Sequence, residues 1–223
     1  MRTQPTRRRS VAMSILLLAG AAALPGCSSQ GKVKGDWVEG VPHNQTFKRV
    51  LVVGVSPDLD ARCTFERFLA KRIRTESTVA MTSCATVTKR DPLTRESIEE
   101  AVKAQNIDVV VATILVSKDW HIKKGGDMDT RGGGGYKAVD SGWATGYYGV
   151  YGVPVIYGEF QTAPSVTTLK GDAEVTTRVF ATSGPTLVYT MNTVVKGFEG
   201  RAEGLDAVTT PIADRLRSEG LTR

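Results

Sequence analysis

The sequence predicts an α/β fold: a β-α-β-α-β unit, then an antiparallel hairpin and a C-terminal helix, arranged as a two-layer or three-layer sandwich with a mixed sheet. Three observations predict it. Arg49–Val55 (RVLVVGV) and Asp108–Val116 (DVVVATILV) are short apolar runs of the kind found in strands covered on both faces. Segments with helical spacing and short links lie between the strands, which implies a parallel sheet with right-handed crossovers. Ala173–Phe180 and Thr186–Val195 instead alternate with period two around Thr182-Ser183-Gly184-Pro185, the pattern of an antiparallel hairpin.

The elements follow in order. Ser56-Pro57-Asp58 ends the first strand and opens a helix. Its apolar positions are Ala61, Phe65, Phe68, Leu69 and Ile73, with Arg62, Glu66, Arg67, Lys71 and Arg74 between them. Thr78–Ser83 reads as the second strand. The next helix begins at Asp91-Pro92 or at Thr94, with Glu96, Glu99 and Glu100 near its positive end and Ile98, Ala101, Val102 and Gln105 facing inward. The last helix starts either at Asp206 with a kink or at Thr210 with Pro211 in its first position. Leu205, Val208, Ile212 and Leu216 are expected to face the sheet.

The first thirty residues read as an address. Arg2, Arg7, Arg8 and Arg9 precede an apolar run from Val11 to Leu24, and no acid occurs before Asp36. That layout is a secretory signal peptide, too short to span a bilayer, which takes about 20 residues. Its end, Leu24-Pro25-Gly26-Cys27-Ser28, resembles the lipobox of bacterial lipoproteins, which implies cleavage before Cys27 and acylation of its sulfur by chains such as palmitate. Ser28 and Ser29 follow it and no Asp does. By resemblance to lipoprotein sorting, that implies the outer membrane, facing the periplasm. The expected division is a removed signal over 1–26, a lipidated tether over 27–46, and an α/β domain over 47–223. Removing residues 1–26 takes away four arginines and no acid, so the formal charge falls from +6 to +2 and no nucleic-acid interface is implied.

Two cysteines remain in the mature chain. Cys63 lies in the first turn of the first helix, and Cys84 follows the second strand, so the topology puts both at one end of the sheet. An envelope compartment permits a disulfide; a pair of partly buried free thiols is the alternative.

Residues 119–162 form an insertion rich in Gly and aromatics, with Trp143, Tyr147, Tyr148, Tyr151 and Tyr157 as candidate partner-binding residues. Three readings compete: a Gly/Tyr loop that docks a partner, a β-hairpin given to an oligomeric barrel, and a surface loop with no defined role. Gly132–Gly135 is a poor phosphate nest, because no P-loop Lys-Ser/Thr follows it.

No catalytic constellation is legible. His43 falls in the tether and His121 at the edge of the insertion, neither with a second metal ligand at useful spacing, so no metal and no cofactor are expected. Val53-Gly54-Val55 has one glycine where a dinucleotide turn needs several. Asp58 and Asp60 fit a helix start better than an acid/base pair. Four stretches, RVLVVGVS, LTRESIEEAVKAQNIDVVVATILV, VTTRVFATSGPTLVYT and ADRLRSEGL, together resemble small bacterial envelope lipoproteins whose domain is similar to the periplasmic α/β domain of the curli secretion lipoprotein. Hairpins of that family commonly continue into a Trp-containing segment after the turn, whereas here Tyr189 occupies that strand. The resemblance implies a membrane-tethered module and carries over no active-site residues. The expected function is a non-enzymatic adaptor that binds envelope proteins or further copies of itself. A subunit of an oligomeric export channel is the second reading and a periplasmic enzyme the third.

Overall fold

The structure is a computed structural model that describes residues 31–56, 58–87, 93–122, 135–140, 156–160, 169–184 and 186–223. Its strands are β1 (Lys32–Trp37), β2 (Arg49–Val55), β3 (Val79–Thr82), β4 (Val109–Ile122), β5 (Gly135–Asp140), β6 (Ile156–Phe160), β7 (Leu169–Ala181) and β8 (Thr186–Glu199). Its helices are α1 (Leu59–Ile73), α2 (Ser83–Thr86), α3 (Arg95–Ala104) and α4 (Gly200–Ser218). All eight strands join one mixed sheet in the order β1-β8-β7-β4-β2-β3, with β5 on β4 and β6 on β5. β2 pairs in parallel with β3 and β4, whereas β4–β7, β7–β8 and β8–β1 are antiparallel. The expected α/β architecture with a mixed sheet is the observed one.

The apolar runs of β2 and β4 are buried on both faces because helices cover both. On one face Leu69 and Ile73 of α1 and Val208, Ile212 and Leu216 of α4 pack on Val50, Val52 and Val111. On the other, Ile98 and Ala101 of α3 pack on Leu51, Val53 and Val110. Thr94 caps α3: its hydroxyl accepts from the Ser97 N–H, and the Ser97 hydroxyl accepts from the Thr94 N–H. Asp108 ties the strand starts together, its carboxylate accepting from the Lys48 and Arg49 N–H groups.

Several boundaries differ from the sequence expectation. The stretch 27–46, read as a tether, contains β1, which adds an edge strand to β8. Lys32, Lys34 and Asp36 point outward and Val33, Gly35 and Trp37 inward, an alternation hidden by the polar half. Trp37 donates through Nε1 to Glu219 at 2.7 Å, stacks on His43 with ring centroids 4.7 Å apart, and meets Tyr189 edge-on. Tyr189, buried in β8, accepts from Arg215 Nε at 2.7 Å. His43 is therefore part of the folded unit.

The last helix starts at Gly200, well before either expected start, and carries Pro211 inside it. Proline has no N–H for the carbonyl four residues back, here Ala207. Gly31 closes on that same oxygen, where a Cβ would lie 2.5 Å away. The described parts of the insertion are strands: residues 119–122 extend β4, and β5 and β6 pair antiparallel.

Replacing Trp37 by Ala removes the indole from this cluster and takes one of two partners from Glu219, which keeps its ion pair with Arg215 at 2.9 Å. The expected loss is about 2 kcal/mol of unfolding free energy, read by urea denaturation. A change within error would mean that residues 32–37 do hang free.

Candidate functional site

The inward stripe of α1 is not the apolar one expected from its sequence. Arg62, Glu66, Leu69, Ala70 and Ile73 are buried, whereas Ala61, Phe65 and Phe68 are only half-buried. Glu66 is wholly inaccessible. Its Oε1 accepts from the Gly54 N–H at 2.9 Å and the Ser83 hydroxyl at 2.6 Å, and Oε2 accepts from the Cys84 N–H at 2.9 Å. One carboxylate thus joins α1, the end of β2 and the start of α2. Burial pushes its pKa above the ordinary value, and those three hydrogen bonds and the Arg62 charge only partly offset this. Gly54 permits the approach: a Cβ there would lie 3.0 Å from Arg62 Cγ. In place of a dinucleotide turn, this glycine serves helix-to-strand contact. Beside the carboxylate, Cys63 and Cys84 are joined in a disulfide with their Cα atoms 5.6 Å apart.

A cavity of about 140 Å³ opens where β2 ends, beside Thr113, Leu115 and Lys118 of β4 and between α1 and α4. Its apolar wall is built by Phe65, Leu115, Val175, Phe198, Leu205 and Val208. Its polar lining includes Ser56, Asp58, Arg62, Lys118 and Arg201. Asp58 is occupied as the cap of α1, its Oδ1 accepting from the Asp60 N–H at 2.8 Å and the Ala61 N–H at 3.1 Å. Burial holds the Lys118 ammonium below the usual lysine range; repulsion from Arg201 adds to this and the Asp58 carboxylate opposes it. Arg201 donates to Thr64 Oγ1 at 3.3 Å. Three cations and one carboxylate thus lie among the residues that line the cavity. An open sheet commonly binds ligands at this position, beyond the carboxyl ends of its parallel strands.

The sequence-selected residues are scattered by comparison. Cys27, Trp143, Tyr147, Tyr148 and Tyr151 lie outside the described residues, as do 132–134, while Gly135 opens β5. Tyr157 lies in β6 and His121 in β4. Asp60 is in the first turn of α1, and Glu99 pairs with Arg95 at 3.0 Å on the solvated face of α3. Among the described residues, no three His, Cys, Asp or Glu side chains gather to hold a metal ion. The cavity itself was missed because its lining comes from positions 54 to 208, which only the topology brings together.

Glu66 makes a signed prediction. A carboxyl whose folded pKa exceeds its unfolded value binds its proton more tightly in the folded state. Its contribution is therefore full below the ordinary value of 4.5 and is lost as the pH rises through the raised folded pKa. In urea denaturation across pH 4 to 8, the difference in stability between wild type and Glu66→Gln should change over that window, with wild type losing ground as pH increases. Parallel profiles would rule out the shift.

No protein-family model matches the chain, and no curated protein matches it in sequence. Among solved structures it is similar to two PelC dodecamers from Paraburkholderia phytofirmans. The first, a point-substituted form, has TM-score 0.47 and 16% identity over 87% of this chain and 100% of that one. The second has TM-score 0.45 and 15% identity over 87% of this chain and 99% of that one.

Proposed function

We propose that the protein is a lipid-anchored, non-enzymatic module of the bacterial envelope that binds its partners close to a membrane surface. The observation that carries this reading is the position of β1. It begins five residues after Cys27 and is built into the sheet, so the folded unit starts within about 17 Å of an acylated sulfur. A domain held that closely works at the lipid boundary, not at the end of a long arm. The acids beside the cavity are committed to structure, Asp58 to a helix cap and Glu66 to three donors, which favours binding over acid/base chemistry. No helix among the described residues is long and apolar enough to cross a membrane. In this reading the attachment is the acyl group, each buried CH₂ of which contributes about 0.8 kcal/mol.

Cys27→Ala should move the protein from the membrane fraction to the soluble fraction on fractionation. Continued sedimentation with membranes would show that acylation is not what holds it.

A subunit of an oligomeric export channel is the second reading, supported by the two ends of the sheet. β1 and β3 close the described strand path on opposite sides, and head-to-tail contact between such edges closes rings. Mass measurement after crosslinking in native membranes should give one discrete multiple of the subunit if this reading holds. A monomer excludes it.

A further inference from the structure

The two sulfurs of the Cys63–Cys84 disulfide come from unlike surroundings. Along α1, Asp60 lies three residues before Cys63 and Arg67 four after it, so all three share one stripe of the helix. Asp60 and Arg67 are exposed, and Cys63 between them is partly exposed. Cys84 instead follows the buried Thr82 and Ser83 and is itself 8% exposed. The joint these cysteines span does not depend on their bond. Glu66 accepts from the Gly54 N–H, the Ser83 hydroxyl and the Cys84 N–H, which ties α1 to the start of α2 whether or not the sulfurs are joined. The two Cα atoms stand 5.6 Å apart, within the span that a disulfide bridges without backbone movement.

We infer that this disulfide forms in the already folded chain, with Cys63 as the sulfur that takes up the oxidising partner and Cys84 as the one that resolves the adduct. The partner is itself a disulfide, of a small thiol or of a thiol oxidoreductase. The Cys63 thiolate attacks one of its sulfurs: a bond to Cys63 Sγ forms, the partner's S–S bond breaks and one thiolate leaves. The Cys84 thiolate then attacks Cys63 Sγ, the bond within the protein forms and the second thiolate leaves. Two protein thiols are oxidised, one partner disulfide is reduced to two thiols, and the protons given up by the cysteines end on those thiols. Access sets the order. The first step needs a sulfur that an outside molecule can reach, and burial lowers the thiolate fraction of Cys84. The second step lies within the protein, where the Glu66 network keeps Cys84 beside Cys63, so resolution is unimolecular and the adduct short-lived. The assignment is independent of any anchor at Cys27.

The test uses the reduced chain carrying Cys27→Ala, whose only thiols are Cys63 and Cys84. Oxidised glutathione is the probe, followed by acid quenching and mass-spectrometric mapping. The reduced chain should keep its native circular dichroism. With Cys84→Ala added, glutathione should accumulate on Cys63. With Cys63→Ala instead, reaction at Cys84 should be at least about tenfold slower, and the two rates should converge in concentrated urea, where burial is lost. A second reading needs neither of these variants: substoichiometric iodoacetamide should alkylate Cys63 first in the reduced Cys27→Ala chain. Loss of the native signal on reduction, reaction at Cys84 as fast as at Cys63 in the folded state, or first alkylation at Cys84 would each overturn the assignment.

Discussion

The Glu66 carboxylate holds the corner on which the rest of the molecule depends. Removing a carboxyl group from water is costly unless donors replace the solvent, and here three donors from two other elements do so. Two of the donors are backbone N–H groups, of Gly54 near the end of β2 and of Cys84 just past β3, and the third is the Ser83 hydroxyl beside Cys84. The network therefore does for the carboxyl end of the parallel strands what a sheet ladder does along their length. The disulfide between Cys63 and Cys84 crosses the same gap with a covalent bond, so α1 is held to α2 twice within a turn.

That corner fixes one wall of the cavity. With Glu66 turned into the sheet, the same face of α1 carries Arg62 inward and leaves Phe65, a residue earlier, turned toward α4. The opposite wall is set by β8 running directly into α4: Phe198 lies at the end of the strand, and Arg201 and Leu205 follow on the first turns of the helix. The two helices are also joined by an ion pair between Arg72 and Asp206 and by a hydrogen bond from Arg72 Nε to Thr209. The cavity is thus a consequence of how two helices rest on β4 and β7, and its cations come from the helices' first turns and from Lys118 beyond a bulge in β4.

How much was legible follows from these particulars. The uninterrupted apolar runs of β2 and β4 and the period-two hairpin were readable, because each is a local pattern with a local cause, and Thr94 was one of two starts the sequence offered for α3. β1 alternates as well, but its outward Lys32, Lys34 and Asp36 made it look like solvated chain, and Val33 and Trp37 are few against them. The face of α1 was misread for a different reason. Hydropathy put Arg62 and Glu66 outside, and only their spacing with Leu69, Ala70 and Ile73 marked them as one stripe. A charged residue at an inward position signals a partner network, and the partners at Gly54, Ser83 and Cys84 lie too far along the chain for spacing to show. The early start of α4 was hidden by Pro211, which the helix carries in its interior with Gly31 lying against the Ala207 carbonyl that proline leaves without its usual donor.

The placement of the insertion completes the geometry. β4 is flanked by β2 only as far as Ile114; beyond the bulge its edge is taken by β5, through Ser117 and Lys118, while β7 follows it on the other side to Ile122. The insertion's strands, the cavity and the first residue of β1 consequently belong to the same end of the sheet. The hairpin turn at Thr182–Gly184 and the Asp108 network belong to the other. The polarity of the parallel strands, which collects their carboxyl ends at one side, makes that separation possible.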